Sequence, residues 1–180
     1  MGQGTQGRVS MAAGVLLDTG FLITLTDKTR GNHATARRYW RHFLENQTPG
    51  FLSAIVMSEF CVKQEIPPEI LRCCVVLPFN WDDAQRAAKL DWKRVRPAGA
   101  QRDALKDDIK IIAQAVVADA EFVITDDTES FLRFCSVFQA AGAVQFKAIK
   151  LDDGFDRAFF NPGGQRDFAD DLEAGKAPEE

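Results

Sequence analysis

Four acidic positions in the sequence place a carboxylate either among apolar residues or directly after an apolar run. They are Asp18, Glu59, Asp108 and the pair Asp126–Asp127. A carboxylate in apolar surroundings is costly unless it is paired, hydrogen-bonded or bound to a cation. Each position alone has an ordinary explanation, a helix cap or an ion pair, and Asp18 followed by Thr19 is typical of a helix N-cap. All four together indicate a chemical site.

Asp108 is the position at which the conflict with burial is clearest. An apolar stripe at helical spacing surrounds it, formed by Leu105, Ile109, Ile112, Ala113 and Val116. Residues three and four positions away on a helix are neighbours, so Asp108 is predicted on the buried face. Asp107, by contrast, has Lys110 three positions on and can face water.

Several carboxylates held close together repel one another and raise each other's pKa. A divalent cation is the usual resolution, and ligands that are all oxygen suit Mg²⁺ or Mn²⁺. Two such ions about 4 Å apart can activate a water and stabilise the leaving oxygen when a phosphodiester is cleaved. The four acidic positions therefore predict a metal-dependent phosphodiesterase site, provided that the fold brings them together.

Short apolar strands alternate with amphipathic helices along the chain, which predicts βαβ units and a parallel sheet. The predicted strands are 14–17, 51–53, 73–78, 121–125 and 144–149, and the predicted helices include 32–46, 54–65, 81–93 and 128–141. We expect a three-layer α/β/α, Rossmann-like fold. Asp18 and Asp126–Asp127 then stand at the carboxyl ends of strands, where open α/β sheets place their ligands.

The length of 180 residues suits one domain. We expect a disordered leader over 1–13, the folded domain over 14–160 and a flexible acidic tail over 161–180. Six acidic and two basic residues lie in 166–180, so the net charge of −4 belongs to this tail and the rest of the chain is neutral. Overall acidity therefore does not argue against a polyanionic partner.

The composition also favours a cytoplasmic protein without membrane contact, since no apolar run is long enough to span a bilayer and none is flanked like a signal peptide. The four cysteines show no CxxC spacing. We expect them to be buried free thiols in a reducing compartment.

Basic residues cluster on the helix predicted over 32–46 and in a loop around 94–96. Arg37, Arg38 and Arg41 lie on the helix, and Arg94 and Arg96 in the loop. Such residues either face solvent or contact a polyanion, and the sequence leaves both interpretations open.

At this point the chain resembles a PIN domain, the metal-dependent ribonuclease fold of VapC-type toxins. The matching segments are VLLDTGFLI (15–23), SAIVMSEF (53–60), DIKIIAQA (108–115) and FVITDD (122–127). The resemblance implies a Mg²⁺- or Mn²⁺-dependent endoribonuclease acting on RNA, a homodimer, and a possible antitoxin partner. It also implies which residues are catalytic, which bind metal and which contact RNA.

By this resemblance, the catalytic and metal-binding acids are Asp18, Glu59, Asp108 and Asp127, with Asp126 as an alternative or additional metal ligand. Thr19 matches the hydroxyl residue that follows the first acid, and Thr19, Arg37, Arg41 and Arg96 are predicted to contact RNA. The two histidines, His33 and His42, are not expected to be catalytic.

Other functions are weighed against this one. A haloacid-dehalogenase-type phosphatase would need a second Asp two residues after Asp18, where Gly20 stands, and no phosphate-cradling glycine loop follows a strand. A PIN-like protein without activity, serving as a protein-interaction or RNA-binding module, remains the alternative, as does a solitary enzyme of RNA processing without an antitoxin.

Overall fold

The computed structural model describes residues 14–90 and 102–160, with side chains from residue 106 onward in the second range. The predicted leader 1–13 and tail 161–180 lie outside these ranges. Among the described helices, none combines the length and the apolar content that crossing a bilayer requires.

Five parallel strands form one sheet in the order β3-β2-β1-β4-β5. The strands are β1 (Val15–Leu17), β2 (Gly50–Ser53), β3 (Cys74–Leu77), β4 (Phe122–Thr125) and β5 (Lys147–Lys150). Leu16 of β1 pairs with Phe51 on one side and with Val123 on the other. Every residue of β1 and β4 is buried, as expected of apolar central strands that are covered on both faces.

In the described parts of the chain, seven α-helices connect and cover these strands. They are α1 (Thr19–Thr26), α2 (His33–Glu45), α3 (Ala54–Cys61), α4 (Pro68–Leu71), α5 (Trp81–Lys89), α6 (Arg102–Val117) and α7 (Phe131–Ala140), and two short 3₁₀ segments, Leu151–Asp153 and Arg157–Phe160, follow β5. The parallel sheet with its helices confirms the three-layer α/β/α fold expected from the sequence.

Local sequence signals account for several helix ends. Asp18 and Ser53 cap α1 and α3 through their side chains, and Asn80 forms a capping box with Asp83 at the start of α5. Gly142, with φ +66°, takes the left-handed conformation that follows the end of α7. The helix boundaries near the acidic residues are thus set by side-chain hydrogen bonds.

Several boundaries differ from the predicted ones. The helix predicted over 54–65 ends at Cys61, and the helix predicted over 81–93 ends at Lys89. The separate helix α4 begins at Pro68, because Pro67 precedes a proline and the residue before a proline disfavours helical backbone. The helix predicted from 128 begins at Phe131, because Asp127 accepts hydrogen bonds from the backbone of the preceding turn. Strand β5 begins at Lys147 rather than at residue 144.

The cysteines are free, as expected, but their predicted burial is wrong for three of the four. Only Cys135 on α7 is buried, whereas Cys61 and Cys73 are exposed and Cys74 is half-buried. The reason is their position: Cys61 ends α3, Cys73 precedes β3 and Cys74 begins it, and β3 is an edge strand of the sheet, where covering elements are fewer.

Candidate functional site

The predicted acids converge on the carboxyl ends of β1 and β4, at the centre of the sheet. The chain passes from β1 to β2 on one side, whereas β4 lies on the other side of β1. The strand order therefore reverses between β1 and β4, and in doubly wound sheets this crevice is where ligands bind. Asp18 follows β1 and Asp127 follows β4 by two residues.

Asp18 is buried and held by hydrogen bonds from two elements. Its Oδ2 accepts from the Gly20 backbone N–H at 3.2 Å, which caps α1, and from the Thr125 hydroxyl at 2.7 Å. Burial raises the pKa of this carboxyl to about 6, and the charge of Asp127 adds to the increase while the hydrogen bonds oppose it. Asp18 therefore caps α1, and it is also a carboxylate at the carboxyl end of β1 whose ionised form is disfavoured by burial.

Thr125 joins the two strand ends. Its hydroxyl donates to Asp18 and also accepts from the Asp127 backbone N–H at 2.9 Å. Gly20 lies against the same turn, since a Cβ at this position would stand 3.3 Å from the Asp127 nitrogen and 3.4 Å from the Asp126 nitrogen. The start of α1 and the turn after β4 are therefore in close contact.

Asp127 is ionised, and several hydrogen bonds stabilise its carboxylate. Burial acts to raise its pKa, but hydrogen bonds outweigh it and hold the pKa below the usual range. Its Oδ1 accepts from the backbone of Glu129 and Ser130 at 2.9 Å, and its Oδ2 accepts from the Ser130 hydroxyl at 2.5 Å. Its charge contributes to the raised pKa of both Asp18 and Asp108.

Asp126 accepts its hydrogen bonds from residues outside this group of acids. One of its carboxylate oxygens accepts from the Thr24 hydroxyl at 2.6 Å, and the other from the Asn32 amide at 2.7 Å. The same Asn32 nitrogen donates to Asp152 at 2.6 Å. Asp126 therefore ties the turn after β4 to α1 and to the residue before α2.

Glu59 reaches the start of α1 from α3. The Thr19 hydroxyl donates to its Oε2 in a short hydrogen bond. Helix α3 is itself anchored by Ser53, whose hydroxyl caps the helix and donates at 2.6 Å to Oε1 of the buried Gln114 on α6. The Gln114 amide in turn donates to the carbonyls of Leu77 and Pro78. One buried amide thus fixes α6 against β2 and β3.

Asp108 on α6 is the least satisfied acid of the group. Its Oδ2 is buried and has no hydrogen-bond partner. Burial raises the pKa of Asp108 to about 8, and the charges of Asp18, Asp127 and Glu59 raise it further while the Ser130 hydroxyl lowers it. The fold therefore brings four predicted acids into one electrostatic group.

A divalent cation fits the chemistry of this group: the donors are carboxylate oxygens, and one buried oxygen lacks a partner. Their arrangement is open, however. Among the side chains that the structure describes, in residues 14–90 and 106–160, no three from His, Cys, Asp or Glu stand close enough together to hold a metal as they are placed. Asp18 and Glu59 are instead held by Thr125 and Thr19. Closing the group around an ion would require side-chain movements.

The other predicted residues lie at different distances from this group. Arg37 and Arg41 are exposed on α2, and Arg96 lies outside the described residues. Asp107 faces outward and pairs with Lys110 at 2.7 Å, as predicted. Nδ1 of His33 lies 3.0 Å from the Thr24 carbonyl oxygen, and the ring of His42 is buried beside Phe160.

Sequence reasoning missed the polar residues that position the acids. They are Thr24, Asn32, Gln114 and Thr125. Gln114 had a visible signal, because it is a polar residue between alanines on an apolar helix face. Thr24 and Asn32 had no such signal in the sequence, since their partner Asp126 lies about a hundred residues away along the chain.

This fold matches several solved structures. DNA-bound VapBC from Salmonella typhimurium aligns over 77% of this chain and 98% of the other, with 15% identity and a TM-score of 0.52. VapBC2 from Rickettsia felis, bound to a DNA fragment from its promoter, aligns over 74% and 97% with 13% identity and a TM-score of 0.51. FitAcB from Neisseria gonorrhoeae aligns over 76% and 97% with 19% identity and a TM-score of 0.50.

No protein-family model matches the chain, and no curated protein matches it in sequence. At identities this low, the likeness to solved structures concerns the fold. The protein has a VapC-like PIN fold, so the resemblance seen in the four sequence segments is confirmed at the level of fold.

Proposed function

We propose that the protein is a Mg²⁺- or Mn²⁺-dependent endoribonuclease that acts as the toxin of a toxin–antitoxin pair. The observation that carries this proposal is the buried, unpartnered Oδ2 of Asp108, which shares one electrostatic group with Asp18, Asp127 and Glu59. A buried polar atom without a hydrogen-bond partner is rare in a native structure and calls for an explanation. A bound cation supplies one.

In this proposal Asp18, Glu59, Asp108 and Asp127 hold the cation, directly or through waters. When bound, a divalent cation supplies Lewis acidity that activates water and offsets charge on a phosphate. The chain's own residues prepare the site for it: Thr125 orients Asp18, Ser130 orients Asp127, and Thr19 holds Glu59 until the site closes.

The geometry favours Asp127 over Asp126 as the fourth acid. Both oxygens of Asp126 already accept hydrogen bonds, from Thr24 and Asn32, whereas Asp127 is coupled to Asp18 and Asp108. We assign Asp126 a positioning role, in which it holds the turn after β4. Asp127→Asn should therefore lose Mn²⁺ binding, and Asp126→Asn should lose stability before it loses Mn²⁺ affinity.

RNA would be held by the hydroxyl of Thr19 and by Arg37, Arg41 and Arg96. Arg37 and Arg41 are one helical turn apart and exposed on α2, and α2 begins beside Asn32, which contacts the turn after β4. Their spacing of about 6 Å along the helix is comparable to that of neighbouring phosphates. The double variant Arg37→Ala/Arg41→Ala should raise KM and reduce salt dependence, with Mn²⁺ binding unchanged.

The partner proteins follow from the same proposal. The VapBC and FitAcB assemblies support a partner antitoxin, which we propose also binds this chain. We further propose that the chain forms a homodimer, which light scattering of the purified protein would test. RNA as substrate implies a cytoplasmic place of action.

The decisive experiment compares Asp108→Asn with Asp107→Asn in RNA cleavage with Mn²⁺, Mg²⁺ or EDTA. The two acids are adjacent, but Asp107 makes only an exposed ion pair, which contributes little. We expect metal-dependent cleavage that Asp107→Asn retains and Asp108→Asn loses. Absence of cleavage together with absence of any Mn²⁺-induced rise in Tm would instead indicate an inactive PIN-like interaction module.

A further inference from the structure

Two exposed aromatic side chains follow β3, at the same ends of the strands as the acidic group. Among residues 14–90 and 106–160, whose side chains the structure describes, Trp81 (74% exposed) and Phe79 (37%) are the exposed aromatic residues. Both come after Leu77, the last residue of β3. Because the strands are parallel, these rings and the acids Asp18 and Asp127 lie at the carboxyl ends of the same sheet. Neighbouring exposed aromatic rings are typical of a binding surface.

The turn that carries these rings is fixed by hydrogen bonds. The carbonyls of Leu77 and Pro78 accept from the buried amide of Gln114 at 3.1 and 3.2 Å. The Asn80 side chain then caps α5. Trp81 is the first residue of α5, and Cα–Cβ bonds in a helix tilt toward its N-terminus, so this side chain leans beyond the start of the helix.

The same amide connects the turn to the elements that carry the acids. Gln114 lies on α6, which also carries Asp108. Its Oε1 accepts from Ser53, the residue that caps α3, and α3 carries Glu59. Strand β3 is separated from β1 by β2, which is two strand spacings or about 10 Å. A stacked single strand covers that distance in roughly three nucleotides.

The charges differ on the two sides of the acidic group. On the side of β4 and β5, α2 carries the exposed Arg37 and Arg41, and Asn32 before it contacts the segments that follow both strands. On the side of β3, the exposed Asp82 stands next to Trp81. An acid repels phosphates, whereas an aromatic ring stacks on the face of any base. We therefore expect phosphate contacts on the side of α2 and a base contact at Trp81.

We propose that Trp81, with Phe79 beside it, is a stacking platform for an unpaired base, so that the substrate of the acidic site is single-stranded RNA. This inference rests on the proposed ribonuclease function and names its substrate class. Bases in a duplex are already stacked and paired, whereas bases of a single strand are free to stack on aromatic side chains. Trp81 takes no part in holding the cation and acts on specificity alone.

The test measures binding in EDTA, by fluorescence anisotropy, of a labelled single-stranded CA-repeat RNA of about 12 nucleotides. Trp81→Ala should weaken this binding about tenfold, and Trp81→Phe, which keeps a ring, should retain most of it. The same RNA paired with its complement should bind the wild type and Trp81→Ala equally. Val75→Thr is the matched control, because it changes an exposed apolar residue within β3 and should leave binding unchanged.

Equal binding of the single strand by the wild type and Trp81→Ala would overturn the platform. Loss of self-association in both Trp81→Ala and Val75→Thr, measured by light scattering, would overturn it too, because the surface would then be a contact between two copies of the chain. Failure of the ribonuclease proposal gives a different result: the wild type would bind the single strand in EDTA and leave it uncleaved with Mn²⁺. A wild-type protein that binds no RNA would overturn both.

Discussion

The Thr125 hydroxyl donates a 2.7 Å hydrogen bond to the carboxylate of Asp18, across a separation of 107 residues in the chain. The same hydroxyl accepts from the backbone of Asp127. A neutral side chain therefore sets the relative position of two acids on neighbouring strands. This contact is the most direct physical link between the two halves of the proposed site.

Thr125→Val removes this link while keeping the side-chain volume similar. We expect a loss of about 1.5–3 kcal/mol of unfolding free energy at pH 8, since the hydrogen bond serves a charged, buried acceptor. The loss should be smaller at pH 5, where Asp18 is protonated and needs a donor less. Urea denaturation at the two pH values measures this, and Thr125→Ser, which keeps the hydroxyl, should retain most of the stability.

The metal-free protein should become less stable as the pH rises from about 4 to about 8. The pKa of Asp18 is raised to about 6 and that of Asp108 to about 8, so the folded state binds more protons than the unfolded state over this range. The stabilisation is complete below the unfolded pKa near 3.8 and is lost as the pH passes each raised value.

Asp108→Asn should remove most of the decrease between pH 6 and 8, and at pH 8 it should raise the unfolding free energy on the order of 2 kcal/mol. Thermal unfolding in EDTA across the pH range measures this, with Asp107→Asn as the control. A wild-type profile that stays flat from pH 6 to 8 would contradict the coupling of the four acids.

Metal binding should release a proton near neutral pH. Because Asp108 is protonated below about pH 8, a cation that binds its carboxylate must displace that proton. The apparent Mn²⁺ affinity should therefore rise about tenfold per pH unit between pH 6.5 and 7.5. Calorimetry in buffers of different ionisation enthalpy counts the proton directly, and binding without proton release would exclude Asp108 as a ligand.

Gly20→Ala should weaken the site without unfolding the protein. The new Cβ would meet the Asp127 nitrogen and the Asp18 carboxylate at 3.3 Å, so the turn after β4 must move by a few tenths of an ångström. Alanine stabilises the helix by about 0.5–1 kcal/mol relative to glycine, which offsets the strain. We expect nearly unchanged Tm and about tenfold weaker Mn²⁺ binding.

Gly31→Ala is the matched control for that variant, because a Cβ at Gly31 meets nothing within 4 Å. It should leave both Tm and Mn²⁺ affinity close to the wild-type values. Equal effects of the two substitutions on Mn²⁺ affinity would show that the contact between Gly20 and the turn after β4 is not what shapes the site.

The sequence was sufficient to predict the parallel sheet and the positions of Asp18 and Asp127 after two of its strands, because both follow from local patterns. Apolar runs such as Val15–Leu17 mark buried strands, and Asp108 on an apolar stripe marks a buried charge. Helix α4 and the start of α7 were missed, because prolines and the Asp127 carboxylate interrupt the helical pattern there. The exposure of Cys61 and Cys73 depended on their places at the end of α3 and directly before the edge strand β3.

The different roles of Asp126 and Asp127 could not be read from the sequence at all. The two acids are adjacent after the same strand, and their separation depends on which side chains α1 and α2 bring to each of them. Thr24 and Asn32 donate hydrogen bonds to Asp126, whereas the Ser130 hydroxyl donates a hydrogen bond to Asp127. Such tertiary partners have no fixed spacing in the chain and become visible only when the elements are packed.

The strand order also determines when the acidic group comes into existence during synthesis. The segment from β1 to β3 emerges from the ribosome first and contains Asp18 and Glu59, whereas Asp108 and β4 follow later, and β4 must then insert beside β1. A nascent chain that ends before α6 therefore holds only half of the four carboxylates. If the protein cleaves RNA as proposed, the ribosome that makes it is not exposed to a completed site until most of the folded domain has been translated.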